Sequence, residues 1–276
     1  MSLLQALVLG VVQGLTEFLP ISSTAHLILV PWILGWEGNG SPFVFDVLVQ
    51  LGSLLAVVVY FRRDLRAVAR ETLAGIADRK PLGTPGARLG WWLVLGTLPG
   101  VAAGLGGKPL IEDLHRNPVA VAWILLFASG LLLLGERLGK RLRKVEDLKA
   151  GDALFVGFAQ ALAVLPGVSR SAATIAGGLL RGLDREAAAR FSFLLSIPIL
   201  SGAGAVALRD LLAKPDPAGE LAPLAAGFVA AAVVGFASIH WLLRFLARRT
   251  LNVFIVYRVL AAVAMLLFAL VLREGT

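Results

Sequence analysis

Six stretches of the chain are almost continuously apolar, at about 43–61, 90–107, 118–135, 191–208, 222–243 and 251–272. As helices, each is long enough to cross a hydrocarbon core about 30 Å thick. Two further stretches, 1–35 and 151–190, have a different pattern. In the first, Leu19-Pro20 runs into Ser22-Ser23-Thr24-Ala25-His26; in the second, Leu165-Pro166 runs into Gly167-Val168-Ser169-Arg170-Ser171. A proline inside a helix removes one backbone donor and clashes with the preceding turn. Each stretch is therefore expected to be a helix broken in the middle, with hydroxyls at the break.

The two breaks share a frame. An offset of 146 carries Pro20 onto Pro166, Ser23 onto Ser169, Phe45 onto Phe191, Leu48 onto Leu194 and Arg63-Asp64-Leu65 onto Arg209-Asp210-Leu211. Aliphatic coincidences are cheap in such a chain, but matches of Pro, Ser, Phe and Arg-Asp-Leu point to an internal repeat. Its sense follows from the loops, because Lys and Arg accumulate on the cytoplasmic side. Loop 62–88 holds seven basic residues, loop 136–149 six and loop 244–249 three, against zero, two and two near 35–42, 108–117 and 209–220. The first three are expected inside and the others outside. Segment 151–190 must then enter and leave on the cytoplasmic side, and segment 1–35 on the outer side. The expected fold is an all-α polytopic membrane protein with an inverted-topology repeat, each half a re-entrant helical hairpin plus three transmembrane helices. It forms one integral membrane domain over 1–276, with repeats of about 1–146 and 147–276. Such repeats place the functional site near the midplane, where broken helices meet.

Composition agrees with this pattern. Hydrophobic residues are 58% and charged residues 16% of the 276 positions, against about 45–50% and about 25% in soluble domains. The net charge of +8 lies in short loops between spans rather than along one soluble face, so topology explains it and no nucleic-acid partner is expected. The chain has no cysteine, which excludes disulfides and thiolate metal sites. The first apolar run lacks a basic flank and is interrupted by Glu17, so it is not expected to be a cleaved signal.

The polar residues of the hairpins are the candidate chemistry. Gln13 and Glu17, four apart, share a helix face. A carboxylate at that depth costs roughly 2.5–3.5 kcal/mol on insertion scales, so Glu17 should be paired, protonated or holding a cation. It could cap the second half-helix or pair with Arg170. His26, three residues after Ser23, falls on the same helical face as that hydroxyl and is a candidate acid or base, or an alternative nucleophile. Arg170 has a permanent charge on a planar fork suited to phosphate. Ser169, Ser171 and Thr174 add neutral donors, and a half-helix starting after Pro166 adds N–H groups and a positive dipole end. Together these suit phosphoryl transfer. Gln50 is a weaker candidate, and His115 and His240, near membrane boundaries, are left out.

The runs QGLTEFLPISSTAH at 13–26 and PGVSRSAAT at 166–174 resemble the two signature motifs of the undecaprenyl pyrophosphate phosphatases of the bacitracin-resistance family. The likeness extends through VLVQLGSLLAVVVYF at 47–61 and FSFLLSIPI at 191–199. The resemblance implies hydrolysis of the C55 isoprenyl pyrophosphate to its monophosphate, recycling the cell-wall lipid carrier in the bacterial inner membrane with a divalent cation, Mg²⁺ or Ca²⁺. It implies catalytic roles for Glu17, Ser23, His26 and Arg170, with Glu17 also at the metal. Phosphate binding would fall to Gln13, Ser22, Thr24, Ser169, Ser171 and Thr174. Many members carry a glutamate where this chain has Gln13, which shifts the metal and proton work to Glu17 alone. The partners implied are the polyisoprenyl pyrophosphate lipid and the membrane. Small residues such as Gly202-Ala203-Gly204 and Gly227 leave room for a homodimer. The site is expected to open to the outer face. The competing reading is a flippase for the isoprenyl phosphate carrier, since broken helices in inverted repeats are also transporter architecture.

The orientation has a direct test, clean because no native cysteine interferes. A cysteine at position 38 should react with an impermeant thiol reagent from outside, and one at position 145 only from the cytoplasm. The opposite pattern overturns the topology.

Overall fold

The computed structural model describes residues 1–36, 42–115, 117–213 and 218–274. Among them are eleven α-helices and no β-strand: α1 (Leu3–Thr16), α2 (Ser23–Ile33), α3 (Pro42–Tyr60), α4 (Arg62–Ala77), α5 (Pro85–His115), α6 (Pro118–Leu138), α7 (Ala150–Leu162), α8 (Arg170–Leu180), α9 (Arg185–Leu212), α10 (Ala218–Leu246) and α11 (Asn252–Glu274). The six expected spans are α3, α5, α6, α9, α10 and α11. Five of these are long and apolar enough to cross a membrane alone, and α3 joins them as part of a pair with α4, bent by 76°. The bend was not expected, since 62–88 reads as a loop. Arg209-Asp210-Leu211 continues straight along α9, whereas its counterpart Arg63-Asp64-Leu65 opens the separate helix α4. Most of the expected outer loop 35–42, and residues 116 and 214–217 of the other two, lie outside the described residues.

The remaining four helices are the hairpins, α1–α2 and α7–α8, each too short to span. They interlock with the opposite half: α1 packs on α10 while α7 packs on α5, and α3–α9 and α6–α11 pair like with like. This is the inverted repeat. Both hairpins use the same close approach of backbones. A Cβ on Gly10 would lie 2.4 Å from the Gly227 carbonyl oxygen, and one on Gly157 would lie 2.6 Å from that of Gly96. Small residues let apolar helices touch where no hydrophobic force distinguishes helix from lipid.

These contacts correct the repeat frame. Gly157 follows Gly10 by 147 positions, Gln160 follows Gln13 by 147, and Ser169 follows Ser22 by 147. Ser22 and Ser169 are the helix caps, with φ of 75° and 72°. The structural partner of Ser169 is therefore Ser22, not Ser23. The offset of 146 arises because the proline stands two residues before the cap in the first turn and three in the second. Between Gly96 and Gly227 the offset falls to 131, a drop equal to the 16 residues of α4, which has no counterpart among the described residues of the second half.

At the end bearing loop 136–149, basic residues tie the helices together. Asp152 receives 2.6 Å bonds from both Arg143 and Arg181. Glu136, buried on α6, pairs with Arg185 of α9 and at 3.3 Å with Arg141. Residues that direct topology by their charge thus also hold α6, α7, α8 and α9 in register.

Gly157→Val should drive its side chain into the α5 backbone, costing about 1–3 kcal/mol as overpacking and lowering Tm in detergent. Gly151→Ala, where a Cβ meets nothing within 4 Å, should leave Tm unchanged or slightly raised. Equal melting of the two variants would contradict the interlock.

Candidate functional site

The site forms where the two breaks meet. α1 ends at Thr16 and Glu17 caps it, its N–H still bonded to the Gln13 carbonyl at 2.9 Å. The chain turns through Phe18–Ile21, and Ser22 starts α2 with its side chain accepting from the Ala25 N–H at 3.4 Å. In the second hairpin Ser169 caps α8 in the same way, accepting from Ala172 at 3.2 Å. A serine in left-handed backbone is strained, and both breaks use it to aim a half-helix N-terminus inward. The first helical residues are then Ser23 and Arg170.

Those two residues converge on one carboxylate. The Ser23 hydroxyl donates to Glu17 Oε2 at 2.8 Å, and Arg170 donates to Glu17 Oε1 at 2.8 Å. Gln13 Nε2 also donates to Oε2, at 2.8 Å, and reaches Ser53 Oγ at 3.4 Å. Arg170 bonds the Ser192 carbonyl at 3.1 Å and lies 5.9 Å from the Phe18 ring centre. Its Nε is buried without a hydrogen-bond partner. The pairing of Glu17 with Arg170, one of the alternatives in the sequence, is thus present, and it coexists with a serine bonded to the same carboxylate.

A cavity of about 230 Å³ opens beside this cluster. Glu17, Ser22, Ser23, Thr24, Ser169 and Arg170 line its polar end, all from the tips and N-termini of the half-helices. Gln50 reaches it from α3, and Gly100 and Gly104 of α5 and Ile199, Leu200 and Ala203 of α9 form part of the remaining wall. Two helix N-termini facing one cavity beside a guanidinium make an anion site from backbone and charge together.

Four expected site residues are elsewhere. Gln13 is fully buried behind Glu17. Ser171 donates to the Leu19 carbonyl at 3.0 Å and contacts Ser169 Oγ at 3.1 Å, tying one tip to the other. Thr174 bonds the Arg170 carbonyl at 2.7 Å and Ser192 Oγ at 2.6 Å. His26 is 8% exposed, with Nδ1 2.7 Å from the Ser22 carbonyl and Nε2 2.6 Å from the Tyr257 hydroxyl. None of the four is on the cavity wall.

Three residues outside the expected set also belong to this region. Gln160, the counterpart of Gln13, lines the cavity and leaves its amide oxygen buried without a partner. Tyr257 holds His26. Arg258 is 0% exposed and bonds both tips. The signal for Arg258 was available: it is an ionisable residue inside the apolar run 251–272, where charge is expensive and usually functional.

With this geometry in hand, comparison with known proteins is specific. A family model described as bacitracin resistance protein BacA matches residues 6–264. A protein of Desulforudis audaxviator named undecaprenyl-diphosphatase is 45% identical over 267 residues, 96% of this chain and 97% of its own length. Proteins of the same name from Anaeromyxobacter sp. strain K and Geobacter sulfurreducens are 49% and 44% identical, covering 100% and 97% of this chain and 95% and 98% of their own. The chain belongs to the bacitracin resistance protein BacA family.

Proposed function

We propose that this protein is an undecaprenyl-diphosphatase of the bacterial inner membrane, hydrolysing the polyisoprenyl pyrophosphate carrier to its monophosphate and inorganic phosphate. The observation that carries the reading is the convergence of a serine and an arginine, each first in a half-helix, on one buried carboxylate beside a cavity. A nucleophile within hydrogen-bond reach of its base, and a phosphate-binding fork opposite, are the parts phosphoryl transfer requires.

The chemistry follows from the bonds. Arg170 and the N-termini of α2 and α8 bind the terminal phosphate. Ser23 Oγ attacks its phosphorus while Glu17, already accepting the Ser23 proton at 2.8 Å, takes that proton. The bond to the bridging oxygen breaks, and isoprenyl monophosphate leaves with the proton that Glu17 had taken, so the carboxylate is ionised again. Water, deprotonated by Glu17, then hydrolyses the phosphoserine, and Ser23 recovers its proton. Ser23 is favoured over His26 as nucleophile because it lines the cavity and touches the carboxylate.

The residues fit a divalent cation. Glu17 is a hard oxygen donor on the cavity wall, and Mg²⁺ is commonly held by one or two carboxylates plus substrate phosphates. Bound there, it would neutralise charge on the pyrophosphate.

Two features support an opening toward the outer face. Gly104 lies within one turn of the end of the Pro85–Gly107 span that the loop charges place outside. Gln50 lies nearer the Pro42 end of α3, also the outer end by that count. Gly100 and Gly104 line the cavity without side chains, which would leave room there for the start of the isoprenyl tail.

Purified protein in detergent should release inorganic phosphate from polyisoprenyl pyrophosphate. Lipid binding without phosphate release would make it a carrier instead. Arg170→Lys should lower kcat by about 10²–10³, the usual cost of removing one donor aimed at transition-state charge, because an ammonium cannot reproduce the bidentate fork. Near-normal turnover in that variant, with a normal elution profile, would reduce Arg170 to a charge partner of Glu17.

A further inference from the structure

The hairpin tips are irregular backbone deep in an apolar bundle, where carbonyls have no water to bond. Arg258 on α11 serves both. Its guanidinium reaches the Pro20 carbonyl at 3.3 Å in the first tip, and those of Gly167 at 3.4 Å and Val168 at 3.1 Å in the second. It also bonds Ser129 Oγ at 3.1 Å and the Leu125 carbonyl at 3.4 Å on α6. All five acceptors are neutral oxygens. A planar fork with five donors can join several carbonyls at fixed angles, which a flexible ammonium cannot.

The adjacent residue, Tyr257, acts on the first tip through His26. A carbonyl can only accept, so His26 Nδ1 carries the proton donated to Ser22, and in the neutral imidazole Nε2 accepts from the Tyr257 hydroxyl. The two rings stack with centroids 5.6 Å apart and planes 7° from parallel. Both imidazole nitrogens are thereby occupied, and the carbonyl they hold belongs to Ser22, the strained cap immediately before Ser23.

We propose that Tyr257, Arg258 and His26 form a latch that fixes the two tips to each other, so that Ser23 and Arg170 meet at Glu17. All three are positioning residues for the phosphatase reading on which this rests, and His26 is not the acid or base that its spacing from Ser23 suggests.

The test compares phosphate release by purified variants, with pH–rate profiles and elution profiles for each. An asparagine amide can stand where Nδ1–H stands and donate to Ser22. His26→Asn should therefore keep the wild-type pH profile and lose no more than about tenfold in kcat, the scale of one weakened hydrogen bond. His26→Ala should lose more. Tyr257→Phe removes one hydroxyl from a half-exposed residue, so it should fold; its kcat should fall with KM unchanged, since Arg170 still binds phosphate. Arg258→Lys should show the larger drop in kcat. A fall of about 10²–10⁴ in His26→Asn with loss of one limb of the pH profile, the signature of a removed acid or base, would overturn the latch. So would wild-type kcat in Tyr257→Phe. A wild type that releases no phosphate would overturn the phosphatase reading itself, and with it the reason for a latch.

Discussion

One buried carboxylate closes the two halves of this molecule on each other. Glu17 is 6% exposed and takes a bond from each hairpin as well as from Gln13 behind it. A buried ion pair adds little stability against an apolar equivalent, yet breaking one by removing a single partner costs about 3–5 kcal/mol. Glu17 and Arg170 must therefore be kept or lost together. That couples correct docking of two segments 153 positions apart to neutralisation of both charges.

The chemistry comes from the departures from symmetry, not from the repeat. Both tips place a serine cap in left-handed backbone, and both hairpins cross a glycine on a span of the other half. The scaffold is thus the same twice. At the residue after the cap, one copy carries Ser23, a neutral hydroxyl, and the other Arg170, a fixed cation. Where the first copy has Glu17, the same frame gives Val164 in the second. Duplication alone would give two like tips facing one another. On the proposed reading, divergence at these two positions turns the meeting point into a nucleophile, a base and a phosphate ligand.

Much of this was legible in the chain. The spans and hairpins could be read because an apolar run and a proline break act locally, and the loop charges then required two segments to re-enter. Glu17, Ser23, Ser169 and Arg170 stood out because polar groups in apolar runs are expensive. The roles of Ser171, Thr174 and Gln13 were not legible. Each is a hydroxyl or amide in the motif, but whether it faces the cavity or a neighbouring carbonyl depends on helix rotation, which pattern cannot fix within a turn. Tyr257 and Arg258 lie outside both motifs, and their partners are 231 and 238 positions away. The bend at Phe61 was hidden because a basic amphipathic helix and a basic loop have the same composition.

The Glu17–Arg170 pair also bears on when the site becomes reactive. Both Glu17 oxygens are engaged, by Arg170 on one side and by Ser23 and Gln13 on the other. A pyrophosphate entering beneath the two helix N-termini competes for the guanidinium, whose Nε has no partner in the resting arrangement. The nearest hydroxyl proton is the one on Ser23, already aimed at Oε2. On the phosphatase reading proposed above, substrate would draw Arg170 off Glu17 and leave the carboxylate to Ser23 and Gln13.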